Sequence, residues 1–211
     1  MLQKKAIERG TLDLIINLQK QDYLKDFYLV GGTGLALIYD HRKSIDIDLF
    51  CNTDFDTYRI IERLSSDFNF TLLFSERNTI RGSINSVSVD LIAHKYPYIQ
   101  PQLQVDGISM LSIADIAAMK LNAIASSGQR IKDFVDIYYL LKEYSFSDLI
   151  LFYTQKYNQH NPVNLLKSLV YFDDVDTAEW PVLLRDDNLS WSNIKNLITL
   201  ETLKYSKQKF I

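Results

Sequence analysis

Apolar positions in the first half of the chain follow two periods in turn. Leu12, Ile15, Ile16 and Leu18 recur at helical spacing, and Thr11 stands where a capping hydroxyl would serve. Phe27-Tyr28-Leu29-Val30 is a short apolar run that predicts a strand, broken by Gly31-Gly32; residues 33–39 then read as helix. From residue 45 to 50 the order Ile, Asp, Ile, Asp, Leu, Phe has a period of two, which predicts a strand with both carboxylates on one face. Thr57, Ile60, Ile61 and Leu64 predict a helix capped by Asp54 or Asp56. Residues 70–74 and 86–94 predict two further strands. The second of these places Val87, Val89 and Leu91 on one side and Ser88, Asp90 and Ile92 on the other.

Near residue 110 the pattern changes. Ser112-Ile113-Ala114-Asp115 resembles a capping box with Asp in the Glu/Gln role, opening a helix that runs to Gly128. Helical signals continue over residues 132–144, 147–157, 162–171 and 190–207, with Pro162 well placed for a first helical turn. The reading is an α+β protein, with a mixed sheet flanked by helices in residues 1–110 and a helical domain in residues 111–211.

Composition narrows the function classes. The chain has 211 residues, 47% of them hydrophobic, with 13 Tyr, 11 Phe and 2 Trp. That is enough for a sizeable core and excludes a disordered or low-complexity chain. No apolar run approaches the ~18 residues of a membrane span. Charge at Lys4, Lys5, Glu8 and Arg9 interrupts any signal-like start, and the single Cys51 makes no intramolecular disulfide, so a cytoplasmic setting is expected. The net charge of −3 rules out a molecule basic throughout, but not a local basic surface. Residues 171–190 carry six acids against Arg185, and residues 195–211 carry four Lys against Glu201. These runs read either as solvated faces or, for the basic one, as contact with a partner or phosphate backbone.

The chemistry concentrates in one constellation. Between a strand and a helix, Gly31-Gly32-Thr33 allows close backbone approach, and a helix N-terminus offers free N–H groups to phosphate. On the next strand Asp46 and Asp48 face the same way and repel unless a cation lies between them; hard oxygen donors of this kind suit Mg²⁺. The competing reading is an ordinary turn followed by the polar face of a half-exposed strand. Asp90 sits mid-strand among apolar residues and is costly to bury unless paired or liganded, or else faces water at a sheet edge. Lys120 lies in a largely apolar helix, either snorkelling to solvent or reaching a phosphate. Asp133 and Asp136 share a face of the following helix, where capping and dipole stabilisation are the competing roles.

These residues together resemble a known family. The stretch Phe27-Tyr28-Leu29-Val30-Gly31-Gly32-Thr33-Gly34-Leu35-Ala36-Leu37, then His41-Arg42-Lys43-Ser44-Ile45-Asp46-Ile47-Asp48-Leu49-Phe50, resembles the AbiEii-type nucleotidyltransferases of the DNA polymerase β-like superfamily. So do Ile113-Ala114-Asp115-Ile116-Ala117-Ala118-Met119-Lys120-Leu121-Asn122-Ala123-Ile124 and Lys132-Asp133-Phe134-Val135-Asp136-Ile137-Tyr138-Tyr139-Leu140-Leu141. The likeness spans roughly residues 25–145; residues 146–211 carry no matching motif. It implies a polymerase β-like core, a helical C-terminal part, and transfer of a nucleoside monophosphate from an NTP. By resemblance, Gly31, Gly32 and Thr33 hold the triphosphate, Asp46 and Asp48 bind metal, and Asp90 is the third carboxylate. Lys120 contacts phosphate, and Asp136, or else Asp133, is the late acidic residue. Gly34 departs from the alanine expected after Gly-Gly-Thr.

The implied cofactor is Mg²⁺, with two ions, and the implied acceptor is RNA, tRNA above all. The implied role is the toxin of a bacterial toxin–antitoxin or abortive-infection system, with a cognate antitoxin as protein partner and no membrane. The competing functions are small-molecule nucleotidylation, as in antibiotic-modifying relatives, and a non-catalytic nucleotide-binding protein on the same fold.

Overall fold

The structure is a computed structural model that describes Leu2 and residues 4–210. The chain divides into two compact units, residues 1–112 and 113–211.

The first unit is built on a mixed seven-stranded sheet of order β3-β4-β5-β2-β1-β7-β6. Its elements in chain order are α1 (Arg9–Gln19), β1 (Tyr28–Leu29), α2 (Gly31–Tyr39), β2 (Ile47–Cys51) and α3 (Thr57–Asp67). The strands β3 (Phe70–Glu76), β4 (Thr79–Ile84), β5 (Val87–Ala93), β6 (Leu103–Val105) and β7 (Ile108–Met110) follow. β2 runs parallel to β5 and antiparallel to β1, and β1 runs parallel to β7. The outer pairs β3–β4, β4–β5 and β6–β7 are antiparallel hairpins. The period-two pattern sets the two sheet faces. Ile47, Leu49, Val89 and Leu91 are buried, whereas Asp48, Phe50, Asp90 and Ile92 on the opposite face are only half-buried. Helices α1, α2 and α3 pack against β7, β2 and the β3–β4 hairpin respectively.

Three local expectations change. Thr11 is not a cap: α1 begins two residues earlier, after Glu8, and Thr11 is buried within it. Gly31-Gly32 is not a break before a helix but the first turn of α2 itself. The strands β4, β6 and β7 were not anticipated. Asp56, not Asp54, caps α3, accepting from the Arg59 N–H at 3.0 Å.

The second unit is helical: α4 (Ile113–Ser126), α5 (Ile131–Leu140), α6 (Phe146–Tyr157), α7 (Val163–Leu169) and α8 (Trp191–Phe210). α4 packs against α5, α6 and α7, and α8 packs against α5, α6 and α7. Phe134, Phe172 and Trp191 meet with ring centroids 5.4–5.7 Å apart. Ser145 and Asp148 form a reciprocal capping box at the start of α6. The fold class is therefore α+β, as the hydrophobic pattern indicated. Among the described residues no helix is long and apolar enough to cross a membrane.

Candidate active site

β2 and β5 run parallel in a register that sets Asp48 directly beside Asp90. Register neighbours in a pleated sheet project to the same side, so both carboxylates stand on the half-open face. Asp46 precedes β2 by one residue, two positions from Asp48, and is half-buried. A cation between them would offset the repulsion of two carboxylates on one face. On the other side of Asp90, β4 aligns Arg81, whose Nε lies 3.3 Å from Asp90 Oδ2.

The glycine turn is shaped by the side chains packed on it. Gly31 has φ +69°, a left-handed conformation that L side chains adopt at a cost. A Cβ there would collide with the Asp48 carboxylate, lying 3.0 Å from its Cγ. The Val30 N–H donates to the Asp48 carbonyl at 2.9 Å, tying the turn to the strand. At Gly32 a Cβ would overlap the Arg42 guanidinium, 3.0 Å from its Cζ. Arg42 is only 3% exposed, and its Nη1 donates to the Lys43 carbonyl at 3.1 Å. The two glycines thus admit one acid and one base to the backbone at the N-terminus of α2.

Thr33 is turned inward. It is 1% exposed, and its hydroxyl bridges Ser44 Oγ at 2.8 Å and the Asp46 carbonyl. Its observed work is to fasten the first turn of α2 to the segment that carries Asp46.

In the second unit the structure brings Lys120, Asp133 and Asp136 together. The Lys120 Nζ donates to Asp133 Oδ1 at 2.6 Å and lies 2.8 Å from Asp136 Oδ2. All three side chains are buried. Asp133 and Asp136 therefore act on the same lysine rather than as alternatives. A second buried pair, Lys156 Nζ to Asp115 Oδ1 at 2.7 Å, joins α6 to α4.

Among the described residues no three His, Cys, Asp or Glu side chains converge into a ready-made metal cage. Asp46, Asp48 and Asp90 nevertheless fit Mg²⁺ by donor chemistry. That ion commonly takes one or two protein carboxylates and completes its shell with water and substrate phosphates.

Two basic residues near the site were not singled out from the sequence. Arg42 stands in the His41-Arg42-Lys43-Ser44 stretch, four residues before Asp46. Arg81 lies on a strand that the pattern did not reveal. Cys51 is inert: burial pushes its thiol pKa up, and its Sγ donates to the Thr53 carbonyl at 3.2 Å.

MenT4, a nucleotidyltransferase toxin from Mycobacterium tuberculosis H37Rv, is similar in fold with a TM-score of 0.61 at 14% identity, over 92% of this chain and 80% of that one. JHP933 from Helicobacter pylori is similar with a TM-score of 0.55 at 17% identity, over 99% and 94%. In sequence, the uncharacterized protein aq_aa25 of Aquifex aeolicus (strain VF5) is 31% identical over 180 residues, 82% of this chain and 85% of its own. The family described as nucleotidyl transferase AbiEii toxin, type IV TA system, matches residues 13–193. The chain is therefore a nucleotidyltransferase and belongs to the AbiEii toxin family.

Proposed function

We propose that this protein transfers a nucleoside monophosphate from an NTP to an acceptor hydroxyl, the α–β phosphoanhydride breaking and pyrophosphate leaving, with Mg²⁺ held by Asp46, Asp48 and Asp90. The observation that carries the proposal is the side-by-side register of Asp48 and Asp90 on a half-open face, with Gly31 packed against the Asp48 carboxylate. Bound there, Mg²⁺ supplies neutralisation of the triphosphate and lowers the pKa of the acceptor hydroxyl.

The chain's own residues do the positioning. The first N–H groups of α2, at Gly31 and Gly32, point a positive dipole end at the triphosphate, and the buried Arg42 guanidinium adds a fixed charge beside them. Asp90, as metal ligand or as base, activates the acceptor hydroxyl, while Arg81 fixes the direction of its carboxylate. Catalysis of this kind is mostly alignment and charge stabilisation.

RNA, tRNA in particular, is the acceptor we favour, and the family's description as the toxin of a type IV system supports a cognate antitoxin. The basic end of α8, with Lys207 and Lys209 in its last turn, supports a polyanionic acceptor. The acidic run at 171–190 suits the antitoxin side instead.

Incubation with each labelled NTP, Mg²⁺ and total RNA, and separately with small hydroxylated acceptors, tests the reading. Asp46→Ala and Asp48→Ala are each expected to abolish transfer while keeping the wild-type melting profile. Full transfer by either variant would refute the assignment. Label appearing only on small acceptors would move the function to small-molecule nucleotidylation.

A further inference from the structure

Beyond the carboxylates the same sheet face changes character. Phe50 follows Asp48 by two residues on β2, so its ring stands on the same side, about 6–7 Å further along the strand. On the neighbouring strand Asp90 and Ile92 lead to His94, whose N–H continues the pairing by donating to the Cys51 carbonyl at 2.7 Å. The Phe50 and His94 rings are 6.0 Å apart, and the His94 and Tyr96 rings 4.7 Å apart. Tyr28, in register with Phe50 on β1, stacks edge-on with Tyr98 at 5.7 Å.

These aromatics are not core. Phe27 and Phe134 are 4% and 0% exposed, whereas Tyr96 is 43% exposed and Phe50, His94 and Tyr28 are half-buried. The first turn of α2 lies at the opposite end of this face, because Tyr28 pairs with Phe50 and Gly31 is three residues further along. A phosphate-binding turn, a pair of carboxylates and an aromatic shelf therefore follow one another along the strands.

We infer that the shelf formed by Phe50, His94 and Tyr96 is a stacking site for a nucleobase; the inference rests on the nucleotidyl-transfer reading above. Every base presents a π-face, so such a shelf binds without needing a base-specific hydrogen-bond pattern. The base has two sources, the incoming NTP and the terminal nucleotide of the acceptor.

The test measures equilibrium dissociation constants of the full chain, with Mg²⁺, for the four NTPs, inorganic tripolyphosphate and a short single-stranded RNA with a free 3′ hydroxyl. Tyr96→Ala is expected to weaken either NTP or RNA binding about tenfold, with tripolyphosphate unchanged. Tyr96→Leu should match that loss, and Tyr96→Phe should restore wild-type binding. Loss confined to NTPs assigns the donor base, and loss confined to RNA assigns the acceptor base. Unchanged binding of both, or equal loss of tripolyphosphate, overturns the shelf while leaving the transferase reading standing. A wild-type chain that binds neither NTP nor RNA overturns both.

Discussion

At Gly31 two constraints meet: a backbone φ of +69° and the Asp48 carboxylate packed against Cα. Ala at this position carries about 1–2 kcal/mol of backbone cost and must also push Asp48 aside. Gly31→Ala is expected to lower the denaturation midpoint and to reduce transfer by more than its stability loss explains, because the displaced group is a proposed metal ligand. Denaturant melts and turnover measured on the same preparation check this; wild-type turnover in a destabilised variant would separate Gly31 from the site. The half-open placement of Asp48 and Asp90 is legible because a strand's period of two is rigid, whereas Asp46 lies one residue outside β2. What spacing did not reveal was the contact each glycine serves. The pairing of Gly31 with Asp48 and of Gly32 with Arg42 depends on β1 lying antiparallel to β2, a tertiary fact. The inward turn of Thr33 was hidden for the same reason: a hydroxyl at a helix start looks available until Ser44 and the Asp46 carbonyl are placed beside it.

At the level of elements, the pattern marks β1, β2, β3, β5, α3 and the five helices of the second unit, and it does not mark β4, β6 and β7. β2, β5 and α3 carry the clearest apolar spacing. β4 reads Thr, Ile, Arg, Gly, Ser, Ile, where Gly82 takes an inward position normally marked by a large apolar residue. β6 and β7 have three residues each, too few for a period, although Asp106-Gly107 between them is a strong two-residue hairpin turn signal. Arg81 was missed because its strand was missed.

Helix packing also rests on charges that the pattern marks only as polar. Lys156 on α6 and Asp115 on α4 are 1% and 0% exposed and paired at 2.7 Å. Removing one partner leaves the other charge buried, so Lys156→Ala or Asp115→Ala should cost about 3–5 kcal/mol. Replacing both together by apolar residues of similar size, Lys156→Met with Asp115→Leu, should recover most of that loss. Chemical denaturation of the two single variants and the double variant measures it; single variants as stable as wild type would show that the pair contributes nothing to helix docking.

For the whole molecule, the two halves of the sequence hold different kinds of order, and the structure divides into compact units at residues 112 and 113. The first carries the carboxylates, the glycine turn and the aromatic shelf; the second carries the Lys120, Asp133 and Asp136 cluster. The net charge of −3 includes the acids proposed to hold metal, so it is no guide to whether the acceptor is a polyanion. The proposed transfer of a nucleotide to RNA depends on Asp48. It is tested most directly by incubating α-labelled NTPs and Mg²⁺ with total RNA, comparing wild type with Asp48→Asn. The account predicts label covalently retained on RNA by the wild type, and a loss of about a thousandfold or more in the variant, the scale expected when a charge-stabilising metal ligand is removed. Equal labelling by the two proteins, or none from any NTP by the wild type, would contradict it.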